Sequence, residues 1–253
     1  MSDPKAPFFV GYLKIPAGLR SFLLVACVMF VGGFLFAGLV VGATQDDPGE
    51  AGFRFDYGRQ TVTGVLELDP YPLVRVTKGS KRIKEGHTLM LTAGGKAGVM
   101  GRAAPLNGKL VTVSGVLLKR GDLDMLQLRG GRAGMKSADG EADMPAAENL
   151  GRWKMAGEIC DGKCLAGAMQ PGRGLAHKAC ANLCLIGGIP PVFVSSQPVE
   201  GSQHLLLADA NGKALPEKVY QFVGQFVELA GDLERRGDLL ILKVDSNTIG
   251  PVS

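Results

Sequence analysis

This sequence of 253 residues predicts a mainly β chain: two tandem five-stranded barrels following a single N-terminal transmembrane helix. Three observations carry the prediction. An uncharged apolar run fills Phe22–Val41, two later segments match each other in order and spacing, and each of those segments divides into five short strand-like runs. Hydrophobic residues at 46% and charged residues at 21% are globular proportions, which excludes wholesale disorder.

The apolar run comes first. Twenty residues at a rise of 1.5 Å each span about 30 Å, the thickness of a hydrocarbon core, so 22–42 reads as a transmembrane helix behind a segment 1–21. Lys5, Lys14 and Arg20 precede the run against Asp3 alone, and Asp46, Asp47 and Glu50 follow it. The positive flank stays cytoplasmic. The remainder is therefore expected on the periplasmic or extracellular side of a bacterial inner membrane. Two rival readings are a cleaved signal peptide, with Val41-Gly42-Ala43 as its cleavage site, and a lipid anchor on Cys27. The run is longer than the usual signal-peptide core. Only Phe22 to Val25 would precede a lipidated cysteine as apolar stretch, so a buried membrane cysteine is preferred. Gly33 with Ala37, and Gly38 with Gly42, place small residues at a spacing that admits a second helix. An integral-membrane protein partner is expected on that stripe.

After a linker, 43–56, two segments follow, 57–129 and 153–253, separated by a second polar linker, 130–152. Gly115–Leu128 matches Gly231–Val244, each with a strand, an Arg-Gly-Asp turn and another strand, which is a hairpin signal. His87–Ala97 matches His204–Ala214, and Thr63-Gly-Val-Leu-Glu matches Ala156-Gly-Glu-Ile-Cys. Similarity kept in this order indicates an internal duplication. In the first copy the strands fall at 61–68, 73–77, 88–92, 109–119 and 123–129. A short helical piece is expected around Gly98–Leu106, and its counterpart, Leu215–Val223, has the better helix formers.

Five strands with a helix after the third is the order of an OB-type barrel, so each copy is OB-like. The whole layout resembles membrane-anchored exported proteins with OB-like domains. OB folds often stack single-stranded nucleic acid on aromatic side chains. Between Arg59 and Gly130 the only aromatic residue is Tyr71, and beyond residue 42 there are 25 basic and 23 acidic residues with no run of like charge. No nucleic acid partner is expected.

The second copy carries about 24 extra residues between its first and third strands. This insert, 160–191, holds the ligand-type residues Cys160, Cys164, His177, Cys180 and Cys184 in the pattern C-x3-C-x12-H-x2-C-x3-C. Leu175–Ile186 is expected to be helical, which puts His177, Cys180 and Cys184 on one face. Three readings stay open. Two structural disulfides suit an oxidising compartment, with all four sulfurs clustered and His177 beside them. A metal site would suit zinc or cuprous copper, or an iron–sulfur cluster, although Arg20-Ser21 offers no twin-arginine export signal for a prefolded cluster protein. A reactive dithiol would need a nearby cation, for which Lys163, Arg173 and Lys178 are candidates. His87 and His204 occupy matching positions and are read as structural. Lys119-Arg120 and Arg235-Arg236 are read as solvated, and Trp153 as packing the start of the second barrel.

No P-loop, nucleophile elbow, H-E-x-x-H or haem-attachment motif is present. The function expected is therefore non-catalytic: a membrane-anchored accessory or assembly subunit of a membrane redox or metal-handling complex. The alternatives are an exported thiol–disulfide oxidoreductase and a copper or haem chaperone with His177 as a ligand.

Overall fold

The computed structural model describes residues 15–44, 50–140 and 146–252. The charges at Asp3, Lys5, Lys14, Asp46 and Asp47 lie outside the described residues, as does the middle of the 130–152 stretch. The chain divides into two compact units, Met1–Asp47 and Pro48–Ser253.

In the first unit a single helix, α1 (Ala17–Thr44), starts just after Pro16 and runs beyond the apolar run at both ends. Its mean hydropathy is 2.6, and by length and composition it can cross a membrane. The same properties serve a signal sequence near an N-terminus. Gly33, Ala37, Gly38 and Gly42 are exposed along it, as is Cys27.

The second unit is the pair of barrels. Strand β1 (Gly52–Phe53) leads into β2 (Gln60–Glu67), β3 (Leu73–Lys78), β4 (Thr88–Thr92), a one-turn helix α2 (Met100–Ala103), β5 (Leu110–Arg120) and β6 (Leu123–Leu128). The order β5-β2-β3-β4-β6 closes through β5–β6, and β4 pairs parallel with β6. This is the OB layout, with strand bounds close to those expected. Then come β7 (Met135–Ser137), β8 (Glu148–Asp161), α3 (Lys178–Ile186), β9 (Pro191–Val199), β10 (Ser202–Asp209), β11 (Phe226–Arg236), β12 (Leu239–Val244) and β13 (Gly250–Pro251). The order β12-β10-β9-β8-β11 closes through β11–β12, with β10 parallel to β12. The piece between β10 and β11 is a 3-10 helix, Glu217–Phe222, despite its better helix formers. The stretch expected as a second linker contributes β7, which pairs with β5, and the first residues of β8.

Period-two alternation fills each barrel. Val62, Leu66, Val74, Leu89, Leu91, Val113, Leu117 and Leu126 fill the first; Ile159, Phe193, Leu205, Leu207, Leu229, Leu233 and Leu242 fill the second. The residues between them in sequence point outward and meet across a shared apolar seam: Leu73, Met90, Leu118 and Met125 from one barrel, Val192, Leu206 and Ile241 from the other. Gly121 and Gly237 open the two-residue Arg-Gly-Asp turns at φ 56° and 63°, conformations that favour glycine at that position.

The register corrects one detail of the duplication. Met90 pairs with Met125 and Leu206 with Ile241, so the copies superpose at an offset of 116. His204 thus matches Thr88, not His87. A one-residue slip exchanges the two faces of a strand; aligned on the histidines, interior Leu89 would match seam residue Leu206.

The seam is reciprocal nonetheless. His87 Nδ1 hydrogen-bonds Asp238 in the second copy's Arg-Gly-Asp turn, and His204 Nδ1 lies 2.6 Å from Asp122 Oδ1 in the first copy's turn. Arg120 and Arg236 are not solvated, contrary to expectation. Each reaches the other barrel: Arg120 Nη2 donates to Pro171 O at 3.3 Å, and Arg236 Nη1 to Asp69 O at 2.6 Å. Trp153 packs partly buried against the second core and donates to Leu150 O at 3.0 Å.

Candidate metal centre

The two copies differ most in the connector between their first and second strands. In the first barrel it is five residues, Leu68–Pro72; in the second it is twenty-nine, Gly162–Pro190. Gly162 N donates to Pro190 O and closes the base of the long connector. Cys164–Ala168 makes one irregular turn, broken at Gly167 (φ 129°), where a side chain would strike the backbone of Gly52. The Pro171–Gly174 loop follows, then a 3-10 turn, Leu175–His177, that runs into α3. At the far end Gly187 lies so close to barrel one that a Cβ there would be 1.8 Å from Lys96 O, while Gly98 N donates to Gly187 O.

Two donor groups form here, and they share Cys164. The sulfurs of Cys164, Cys180 and Cys184 lie within 4.8 Å of one another, as do donor atoms of Asp161, Cys164 and His177. Cys164 and Cys184 are buried with their sulfurs 3.9 Å apart; Cys180 is half-buried at the edge. Asp161, fully buried, accepts from Cys164 N through Oδ1 at 2.9 Å and meets His177 Nε2 through Oδ2 at 3.0 Å.

Cys160 does not join them. Strand alternation places its side chain on the same side as Glu158, and its thiol donates to Glu158 Oε1 at 3.3 Å. The expectation that all four sulfurs cluster is therefore corrected to three. The four cysteines of the insert are free thiols in this structure.

The cation beside the sulfurs was missed in the sequence. Lys96, from the loop after β4 in the first barrel, places Nζ 2.7 Å from Cys180 Sγ and 3.6 Å from Cys184 Sγ. Of the expected candidates, Lys163 instead donates to Ala93 O and Gly95 O at 2.7 Å, which pins the Lys96 loop; Arg173 pairs with Glu158, and Lys178 donates to Gln221 O. Asp161 was missed as well. The histidine-anchored repeat alignment paired Lys96 with Lys213, whereas the barrel register matches Lys213 to Ala97.

The thiols are polarised. Cys164 and Cys184 share a hydrogen bond, and together with the Lys96 ammonium it holds Cys184 below the ordinary thiol range. The same hydrogen bond, with burial, pushes Cys164 up. Burial and the neighbouring Glu158 carboxylate push Cys160 well up, which leaves it an inert thiol. Among the described residues, this Cys/His cluster is a group that could bind a metal ion. Compared with known proteins, the chain matches no family model, no curated protein and no solved structure.

Proposed function

We propose that this chain is a membrane-tethered, non-catalytic accessory or assembly subunit that handles a thiophilic metal ion for a membrane complex. One observation carries the reading: three cysteine sulfurs from separate turns of the long connector converge at the seam between the barrels. Three sulfurs around one ion at about 2.3 Å would stand about 4 Å apart, and Cys164 and Cys184 are already 3.9 Å apart. An iron–sulfur cluster, which usually takes four thiolates, is disfavoured by the separation of Cys160. In this reading α1 is a retained anchor in the bacterial inner membrane. The barrels face the periplasm, and the stripe Gly33, Ala37, Gly38, Gly42 meets an integral-membrane partner.

The test is elemental analysis of the full chain, purified in detergent with its thiols reduced. One equivalent of a thiophilic metal is expected, and none in Cys164→Ser; a metal-free wild-type protein would end the reading. An alkaline phosphatase fused after the last residue should be active, and an inactive fusion would reverse the orientation.

A second reading, thiol–disulfide exchange, is favoured by the lowered Cys184 thiol beside Cys164. It predicts a Cys164–Cys184 disulfide that forms and reduces reversibly without metal.

A further inference from the structure

We propose that the ion taken at this site is univalent and soft, Cu(I) by its chemistry, bound by Cys164, Cys180 and Cys184 alone, with Asp161 and His177 as positioning residues. This inference rests on the metal-handling reading and specifies its cargo.

The donor set argues for it first. Thiolates without nitrogen or oxygen donors select Cu(I), zinc and iron–sulfur clusters. Structural zinc sites are almost always four-coordinate, so zinc here would need a fourth ligand. Among the described residues, the carboxylate and imidazole donors grouped with Cys164 belong to Asp161 and His177, and these are committed elsewhere. His177 Nε2 meets Asp161 Oδ2, while Asp161 Oδ1 holds the Cys164 amide. Recruiting His177 to a metal through Nε2 would strand the Asp161 carboxylate, at 0% exposure, without its ring partner. Uncompensated buried charge is strongly unfavourable. As it stands, the pair does what an outer shell does: it fixes the turn that presents Cys164.

The surroundings argue the same way. Cys164 and Cys184 belong to the apolar seam with Met90, Met125, Leu165 and Ile189. Such a shell restricts water from completing a fourth position. The ion would also take a place the fold already reserves for a cation. In the corresponding loop of the other copy, Lys213, one residue past the position that matches Lys96, pairs through Nζ with Asp69 Oδ2 at 2.6 Å in the short connector, whereas Lys96 Nζ meets sulfur in the long one.

The experiment is an anaerobic titration of the reduced full chain with Cu(I) against a chromogenic chelator, and separately with Zn(II), each followed by X-ray absorption at the metal edge. Circular dichroism checks that each variant stays folded. One Cu(I) per chain with three sulfur neighbours and no nitrogen is expected. His177→Gln should keep that sulfur-only signature while weakening affinity about tenfold or more, and Cys180→Ser, at the half-exposed edge, should lose one sulfur neighbour. Tighter retention of Zn(II) than Cu(I), or a nitrogen neighbour that disappears in His177→Gln, would overturn the cuprous assignment and leave metal handling standing. Failure of the folded, reduced protein to bind either ion would overturn both.

Discussion

The connectors Leu68–Pro72 and Gly162–Pro190 occupy corresponding places in the two barrels, and each is met there by a lysine and an arginine of the other. In the short connector the partners are ordinary. Lys213 pairs with Asp69, and Arg236 pairs with Glu67 and Glu234 while donating to Asp69 O. In the long connector the corresponding cations find sulfur and backbone carbonyls. Lys96 meets Cys180 and Cys184, and Arg120 reaches only Pro171 O, with its buried Nε unpartnered among the described residues. At the offsets of the barrel register, Cys160 stands where the first copy has Glu67, and Leu118 stands where the second has Glu234. The two sides of the seam thus both carry cations but differ in what meets them, carboxylates on one side and thiols and apolar groups on the other. The carboxylate-bearing half is an ionic clamp, and the altered half, beside the long connector, carries the thiols.

The comparison can be broken most directly at Arg236. Replacing it with Met removes a partner shared by Glu67 and Glu234, two largely buried carboxylates that would keep only Arg75 and Lys243 respectively. A loss of about 3 kcal/mol is expected in denaturant unfolding. A loss under about 1 kcal/mol would show that the ionic half of the seam is not a clamp.

Next in size is the response to pH. Burial, which alone would lower the His87 pKa, is outweighed by Asp124 and Asp238, so His87 is raised from 6.5 to about 9. Its contribution, at most about 3 kcal/mol, is complete below pH 6.5 and is lost as pH rises through about 9. Asp238 is lowered; burial opposes the shift, but the His87 ring prevails. Its contribution is present above the ordinary carboxylate pKa and is lost as pH falls below it. Thermal unfolding against pH should therefore show a plateau with an alkaline decline that His87→Gln flattens. An unchanged alkaline limb in that variant would refute the assignment.

Gly187→Ala tests the altered half. The added methyl would meet the Lys96 carbonyl at 1.8 Å, and overpacking of this kind costs about 1–3 kcal/mol. Because the contact also positions Lys96, metal retention should fall together with stability. If stability drops and metal binding does not, Lys96 has no part in the site.

The smallest effect is expected at Arg120, the counterpart of Arg236. Burial lowers its pKa, with Arg173 adding to the effect, and it has no carboxylate partner. Arg120→Met should change stability by less than about 1 kcal/mol, or raise it. Equal losses at Arg120 and Arg236 would erase the asymmetry between the two halves.

What could be read from the sequence follows the range of the interactions. Hairpins are local: their Gly-Asp turns and alternating apolar residues fixed strand bounds, barrel order and the duplication, because a turn and a pleat are set by neighbours in the chain. The helix Leu175–Ile186, with His177, Cys180 and Cys184 on one side, was legible for the same reason. Matching the copies by residue identity misplaced His204 by one, since the parallel β4–β6 and β10–β12 pairings set the register and no local signal reports them. Solvation of Arg120 and Arg236 was misjudged because the sequence does not show that the two barrels face each other.

By itself, then, the sequence determined an apolar N-terminal helix, two OB-like barrels and an insert that concentrates cysteine in one of them. Tertiary structure decided which of those cysteines act together. The pleat of β8 turned Cys160 toward Glu158, the turn after β8 brought Cys164 to α3, and docking of the first barrel delivered Lys96 to the sulfurs. Residues 84 or 88 positions apart meet only when two barrels bury a common apolar seam, and that burial is a property of the folded pair.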